Sequence, residues 1–141
     1  MPENDALIAL RAFWTAMFDR EVRFYRELRA GSGPEHSARV FALAEEAREE
    51  IFARHCTPKK RATSQGAPLG DLPAYDPEAE RVDRVVAESA RQTTVYTAKA
   101  LFGAGDPQLR RYFLLRRRDT WLVDRMEAYD DAKEAWARRA L

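Results

Sequence analysis

The sequence predicts an α+β fold in which two N-terminal helices pack on a curved antiparallel sheet. Three observations lead to this fold class. Apolar residues recur at intervals of three and four as far as residue 55, a stretch with many prolines and glycines follows, and runs rich in β-branched and aromatic residues fill the last third. Helices and strands that are segregated along a chain are typical of α+β folds. A chain of 141 residues can bury one core, so we expect residues 1–141 to form a single domain.

The first helix is expected to run from Asn4 to about Arg29, and Gly31 and Gly33 should end it. Its apolar face is formed by Leu7, Leu10, Trp14, Met17, Phe24 and Leu28. Glu21 lies on the same face, where its carboxylate should either pair with an arginine or stand at the floor of a pocket.

The second helix should begin at a capping box formed by Ser32 to Glu35 and should end near His55. Its apolar positions are Val40, Ala44, Ala47 and Ile51, with Phe41 and Phe52 beside them. Residues 57–80 follow no period, so we expect them to form a long loop.

Four strands are predicted after this loop, at 81–88, 93–102, 109–117 and 121–127. The segment 103–107 has the composition of a hairpin loop, and the strands should follow one another in an antiparallel meander. The tail at 130–141 is expected to be a short helix that Asp130 caps, with Trp136 as its large apolar anchor.

Composition excludes several classes of function. The 24 basic and 23 acidic residues give a net charge of +1, which favours neither a nucleic-acid partner nor a membrane surface. The single cysteine, Cys56, cannot form an internal disulfide, and the sequence contains neither a secretory signal nor an apolar run of about 20 residues. We therefore expect a cytoplasmic protein. The two histidines, His36 and His55, cannot complete a zinc site with one cysteine, so no metal is predicted.

Four segments carry a resemblance to a known family. They are the helix exit Cys56-Thr57, the loop end Tyr75-Asp76-Pro77, the strand Val95-Tyr96-Thr97 and the strand Trp121-x-Val123-Asp124. In this order and spacing they resemble the nuclear transport factor 2 (NTF2) fold immunity proteins of bacterial polymorphic toxin systems, over about residues 7–127. The resemblance implies a cone-like fold and a non-catalytic protein, without a cofactor, that binds a cognate toxin domain and neutralises it.

Two charged surfaces are candidates for binding that partner. The acidic row on the second helix consists of Glu45, Glu46, Glu49 and Glu50. The basic hairpin is represented by Arg110, Arg111, Arg116 and Arg118, with Arg117 beside them. Acidic side chains could mimic phosphates toward a nuclease, and a basic patch could dock on an acidic toxin surface. The sequence does not choose between them, and a nucleic-acid surface or an ordinary solvated sheet face are further interpretations of the basic hairpin.

Two other classes of function stay open. One is an enzyme of the same cone fold, an isomerase or dehydratase that acts on a small apolar substrate through an Asp/Tyr acid–base pair. Its pocket candidates are Glu21, Tyr75, Tyr96, Tyr112, Trp121 and Asp124, with Asp83 as a further acid. Asp124 is expected to share a strand face with Leu122 and Met126, where burial would raise its pKa, unless it pairs with an arginine at the surface. The other class is a binding module that forms a homodimer through its sheet.

Overall fold

Two long helices and a five-stranded sheet make up the part of the chain that the computed structural model describes, residues 4–61, 74–100 and 105–141. The helices are α1 (Asp5–Arg29) and α2 (Pro34–His55). The strands are β1 (Glu80–Ser89), β2 (Gln92–Lys99), β3 (Gln108–Arg117), β4 (Thr120–Asp130) and β5 (Ala135–Arg139). The strands pair in chain order and every pair is antiparallel, so the predicted α+β meander is confirmed.

The two helices begin in different ways. The side chain of Asn4 caps α1, because its Oδ1 accepts the backbone N–H groups of Ala6 at 2.9 Å and Leu7 at 3.3 Å. The capping box predicted for α2 does not form. Its N-cap residue is Gly33 with φ of 95°, and no side chain caps the helix. Glycine accepts this left-handed backbone, and Pro34 then starts the helix with a φ that is already helical.

The core lies between α1 and one side of the sheet. Leu10, Phe13 and Trp14 on α1 are buried together with Val95 and Leu114 of the sheet. We call the side that carries these strand residues the inner face and the opposite side the outer face. Burying a large apolar side chain stabilises a fold by about 1.5–3 kcal/mol, so this seam holds α1 on the sheet.

Three β-bulges interrupt the regular pairing of the sheet, one of them at Glu88 near the end of β1. In β1, Asp83 is the extra residue between Val82 and Arg84, and in β4 Asp124 is the extra residue between Val123 and Arg125. A bulge adds one residue to a strand and increases its local twist. The sheet that carries these bulges is curved, as the sequence predicts.

The bulge in β4 corrects the predicted placement of Asp124. Val123 and Met126 both face the core, three residues apart instead of two. The extra residue shifts the alternation of the strand, so Leu122 and Met126, expected on one face with Asp124, lie on opposite faces of the sheet. Strict alternation cannot reveal such a shift, because nothing in the residue types of β4 marks the bulge.

The predicted C-terminal helix is wrong. Asp130 does accept two backbone N–H groups, from Ala132 at 3.0 Å and Lys133 at 3.3 Å, but it caps a turn and not a helix. Glu134, with φ of 50°, completes the reversal, and the chain returns as β5. Pairing with β4 supplies backbone hydrogen bonds that an isolated short helix would form only marginally.

Parts of two predicted loops lie outside the described residues. They are 62–73 of the loop predicted at 57–80, and 103 and 104 of the hairpin loop predicted at 103–107, together with the end of the strand predicted to reach residue 102. Neither described helix combines the length and apolar character that crossing a membrane requires.

The turn before β5 yields a stability prediction. We expect Asp130→Ala to lower the free energy of unfolding by about 1 kcal/mol, because two backbone N–H groups lose their acceptor. Asp131→Ala is the matched control, since Asp131 is exposed in the same turn. Urea denaturation of both variants measures the difference. Equal effects would contradict the role given to Asp130.

Candidate functional site

A buried ion pair stands on the inner face at one end of the sheet. Glu80 is only 4% exposed, and its carboxylate accepts a hydrogen bond from the Thr97 hydroxyl at 2.6 Å and lies 3.3 Å from Nη1 of Arg110. Thr97 and Arg110 are register partners on β2 and β3, so their side chains share this face. The sequence prediction missed Glu80 and placed Arg110 on a binding surface. The burial of Arg110 could have been predicted, because Arg110 alternates with Tyr112 and Leu114 and therefore lies on the same, core-facing side of β3.

Two buried tyrosines border this pair. Nη1 of Arg110 lies 3.4 Å from the Tyr112 hydroxyl and donates to the Ala74 carbonyl at 3.1 Å. The rings pack edge-on, Tyr112 against Trp14 at 5.4 Å and Tyr75 against Phe13 at 5.3 Å. Burial raises the pKa of both hydroxyls far above the ordinary value, although Arg110 opposes it. Both phenols are therefore neutral and serve as packing groups.

Glu21 fastens the described segment that begins at residue 74 to α1. Its carboxylate accepts the backbone N–H of Ala74 at 2.7 Å. Burial raises the pKa of Glu21, while that hydrogen bond and the charges of Arg20 and Lys99 lower it by a smaller amount. Arg20 instead donates its Nε–H to the Ala44 carbonyl at 2.8 Å, which ties α1 to α2.

Asp124 joins β4 to the exit of α2. Its Oδ1 accepts hydrogen bonds from the Thr57 hydroxyl at 2.7 Å and from Nζ of Lys59 at 2.9 Å, and Arg61 donates to its backbone carbonyl at 3.0 Å. Burial raises the pKa of this carboxyl, but the hydrogen bonds from Lys59 and Thr57 outweigh it and hold the pKa below its ordinary value. Of the two surroundings considered for Asp124, the structure therefore agrees with the carboxylate paired with a basic side chain, although the partner is Lys59 and not an arginine.

The remaining pocket candidates lie in different parts of the fold. Trp121 packs at the edge of the main core, whereas Tyr96 lies on the outer face. Asp83 is exposed at its bulge and pairs with Arg81 at 2.9 Å. The structure therefore brings Glu21, Tyr75 and Tyr112 to one end of the inner face and leaves the other candidates elsewhere.

The cysteine and the two histidines make packing contacts and hydrogen bonds within the fold. Burial raises the pKa of the Cys56 thiol to about 12, so the thiol stays protonated. Burial lowers the pKa of His55, whose ring lies 6.3 Å from that of Phe13. Nε2 of His36 lies 2.9 Å from the Glu27 carbonyl near the end of α1. Within the described ranges, no three potential ligands cluster where they could hold a metal ion.

The two predicted partner-binding surfaces look different in the structure. The acidic row stays exposed on α2, where Glu45 also contacts Nη1 of Arg48 at 3.3 Å. The basic hairpin divides among three places. Arg110 is buried on the inner face and Arg111 lies on the outer face. Arg116 and Arg118 lie at the exposed β3–β4 turn, where Nε of Arg116 donates to the Arg118 carbonyl at 3.0 Å.

The outer face carries an aromatic and arginine cluster that the sequence analysis did not identify. Trp136 is its centre, with the ring of Tyr129 at 5.4 Å, that of Tyr96 at 6.1 Å and the Arg111 guanidinium at 4.4 Å. Nε of Arg111 donates to Glu127 at 2.6 Å. Because the tail was predicted to be a helix, Trp136 was not expected to lie on the sheet beside Tyr96 and Arg111.

Further contacts extend the cluster across all five strands. The guanidinium of Arg125 lies 3.8 Å from the Phe113 ring centre, and its Nη1 donates to Glu127 at 2.8 Å. The guanidinium of Arg84 lies 4.1 Å from the ring centre of Tyr96. We call this surface the outer-face cluster, and it consists of Arg84, Tyr96, Arg111, Phe113, Arg125, Glu127, Tyr129, Trp136 and Arg138, the last being the register partner of Glu127.

Comparison with known proteins gives one match. A protein-family model described as NTF2 fold immunity protein matches residues 5–140, which is nearly the whole chain. No curated protein and no solved structure matches the sequence. The two helices on a curved, open antiparallel sheet agree with the NTF2-like α+β fold that this family model describes.

The buried ion pair predicts a large effect of one substitution. Arg110→Met should lower the free energy of unfolding by about 3–5 kcal/mol, because Glu80 would remain buried without its counter-charge. Arg117→Met, at an exposed position of the same strand, should change it by no more than about 0.5 kcal/mol. Urea denaturation measures both. The double variant Glu80→Gln with Arg110→Met should regain part of the loss, and a double variant no more stable than Arg110→Met would contradict the pairing.

The lowered pKa of Asp124 predicts a dependence on pH. Because the folded-state pKa lies below the unfolded value, the stabilisation is complete at neutral pH and is lost as the pH falls from about 4 through the folded pKa. Asp124→Asn should therefore cost about 1 kcal/mol at about pH 7 and much less near about pH 3. Denaturation across this range tests it, with Asp119→Asn as control, since the Asp119 side chain is 99% exposed. A cost that does not shrink in acid would refute the prediction.

Proposed function

Since the chain belongs to the NTF2 fold immunity protein family, we propose that it binds a cognate bacterial toxin domain and neutralises it without catalysing a reaction. The match over residues 5–140 is the observation that carries this proposal. The toxin would be the domain encoded beside the gene of this protein in a polymorphic toxin system. Binding would take place in the cytoplasm of the cell that makes the toxin.

The placement of the ionisable groups supports binding over catalysis. The enzyme interpretation needs an aspartate and a tyrosine at one site. Asp124 is hydrogen-bonded at the exit of α2, whereas Tyr75 and Tyr112 lie beside the buried ion pair at one end of the inner face. Glu21, whose pKa burial raises, lies near that end and already accepts the backbone N–H of Ala74.

Co-expression with the neighbouring toxin domain tests the proposal. We expect cells that produce both proteins to survive, and we expect a stoichiometric complex to co-purify. The control pairs the same toxin with an immunity protein of an unrelated system, which should give no rescue. Cell death with no complex at matched expression levels would refute the proposed function for that toxin.

A further inference from the structure

The outer-face cluster lies on the side of the sheet opposite the core. α1 packs its apolar seam on the inner face, and the register of the strands places Tyr96, Arg111 and Glu127 on the other side. The rings of the cluster are half-buried, while Arg84 and Arg138 are exposed. Large amphipathic side chains are thus presented together on one surface of the sheet.

Their composition matches that of binding hot spots. Tryptophan, tyrosine and arginine are enriched among the few residues that dominate protein–protein affinity. Here they also hold one another in place, because Trp136 contacts Tyr96, Tyr129 and Arg111. Side chains that are already ordered lose less conformational entropy when a partner binds, which favours affinity.

The charge of the cluster selects the kind of partner. It contains four arginines and one acid, Glu127, whose two carboxylate oxygens are shared between Arg111 and Arg125. Among the described contacts, neither Arg84 nor Arg138 donates a hydrogen bond to Glu127. The surface therefore has a surplus of positive charge, although the chain as a whole carries a net charge of only +1. Complementary potentials steer association and exclude unsuitable partners.

Charge argues against a second copy of this chain as the occupant. In a symmetric dimer through the outer face, the same patch meets itself, so the arginines of one copy would approach those of the other. Like charges brought together across an interface cost several kcal/mol. An acidic protein surface meets no such penalty.

The geometry also favours a protein over a nucleic acid. Single-stranded nucleic acids bind by stacking bases on aromatic faces. Guanidinium groups already lie over the rings of Tyr96, Phe113 and Trp136. A partner that approaches this surface therefore meets guanidinium groups beside the rings, and these bind carboxylates in a bidentate manner.

We propose that the outer-face cluster is the surface that binds the toxin, and that it docks on an acidic face of the toxin domain. This inference rests on the proposed function and adds to it the location of the interface and the charge of the partner. The acidic row on α2 then lies outside the interface.

Charge-reversal variants test the location. The double variant Arg84→Glu with Arg138→Glu should bind the toxin domain about 100-fold more weakly, since both side chains are exposed in the cluster. The matched control is Arg39→Glu with Arg54→Glu, which makes the same change of charge at exposed positions of α2 and should stay within about threefold of wild type. Isothermal titration with a catalytically inactivated toxin domain measures the dissociation constants, and circular dichroism verifies that each variant is folded.

An aromatic pair makes the test independent of charge. Tyr96→Ala should weaken binding about tenfold or more, whereas Phe41→Ala, at a site 42% exposed on α2, should not. The affinity of the wild type should also fall with added salt more steeply than that of the doubly reversed variant. Loss of binding only in the α2 variants would overturn the location while leaving the proposed function intact.

Other occupants of the cluster would give different results. If the wild type neither rescues cells nor binds the toxin, the proposed function itself fails. A wild-type dimer in sedimentation that the Arg84/Arg138 reversal dissociates would overturn the inference in favour of self-association. Binding of a single-stranded oligonucleotide that the same reversal abolishes would overturn it in favour of a nucleic acid.

Discussion

Burial of the α1 seam against the inner face determines how the rest of the molecule is used. Leu10, Phe13 and Trp14 are buried in the core that this face lines, and the gain of about 1.5–3 kcal/mol for each such side chain makes this arrangement strongly preferred. Because side chains alternate along a strand, fixing one face of the sheet also fixes the other. Tyr96 and Arg111 must then point away from the helices, whatever their own preferences.

Periodicity was sufficient for the helices and for four strands, because burial on one side of each element leaves a regular trace in the sequence. Periodicity did not predict the C-terminal tail correctly, because the same local interaction can start a helix or close a turn. Asp130 accepts backbone N–H groups at the start of a helix and in a turn with the same chemistry, and only the partner strand β4 decides between them. β5, which was predicted to be a helix, places Trp136 on the outer face. The wrong prediction for the tail is therefore also the reason why the outer-face cluster was not predicted.

The predicted site suffered from a second limit of alternation. A bulge adds one residue without a mark in the residue types, so strict alternation wrongly placed Leu122 and Met126 on one face. The donors that hold Asp124, Lys59 and Thr57, come from the exit of α2 and could not be found by alternation. Counting basic residues likewise could not separate Arg110 from Arg111. Their roles depend on which strand face each occupies, and that follows from the packing of α1 and not from charge.

The two neighbouring arginines show how one strand serves both the fold and a surface. Arg110 gives up its hydration inside the protein and is compensated by Glu80, so removing either partner leaves a buried charge uncompensated. Arg111 shares Glu127 with Arg125 and stays partly exposed over Trp136, so its guanidinium is oriented but still within reach of solvent. An arginine in that state can exchange water for a carboxylate of another protein at little conformational cost. Arg110 and Arg111 are neighbours on β3 but lie on opposite faces. The fold therefore requires the first arginine, whereas a partner can bind the second.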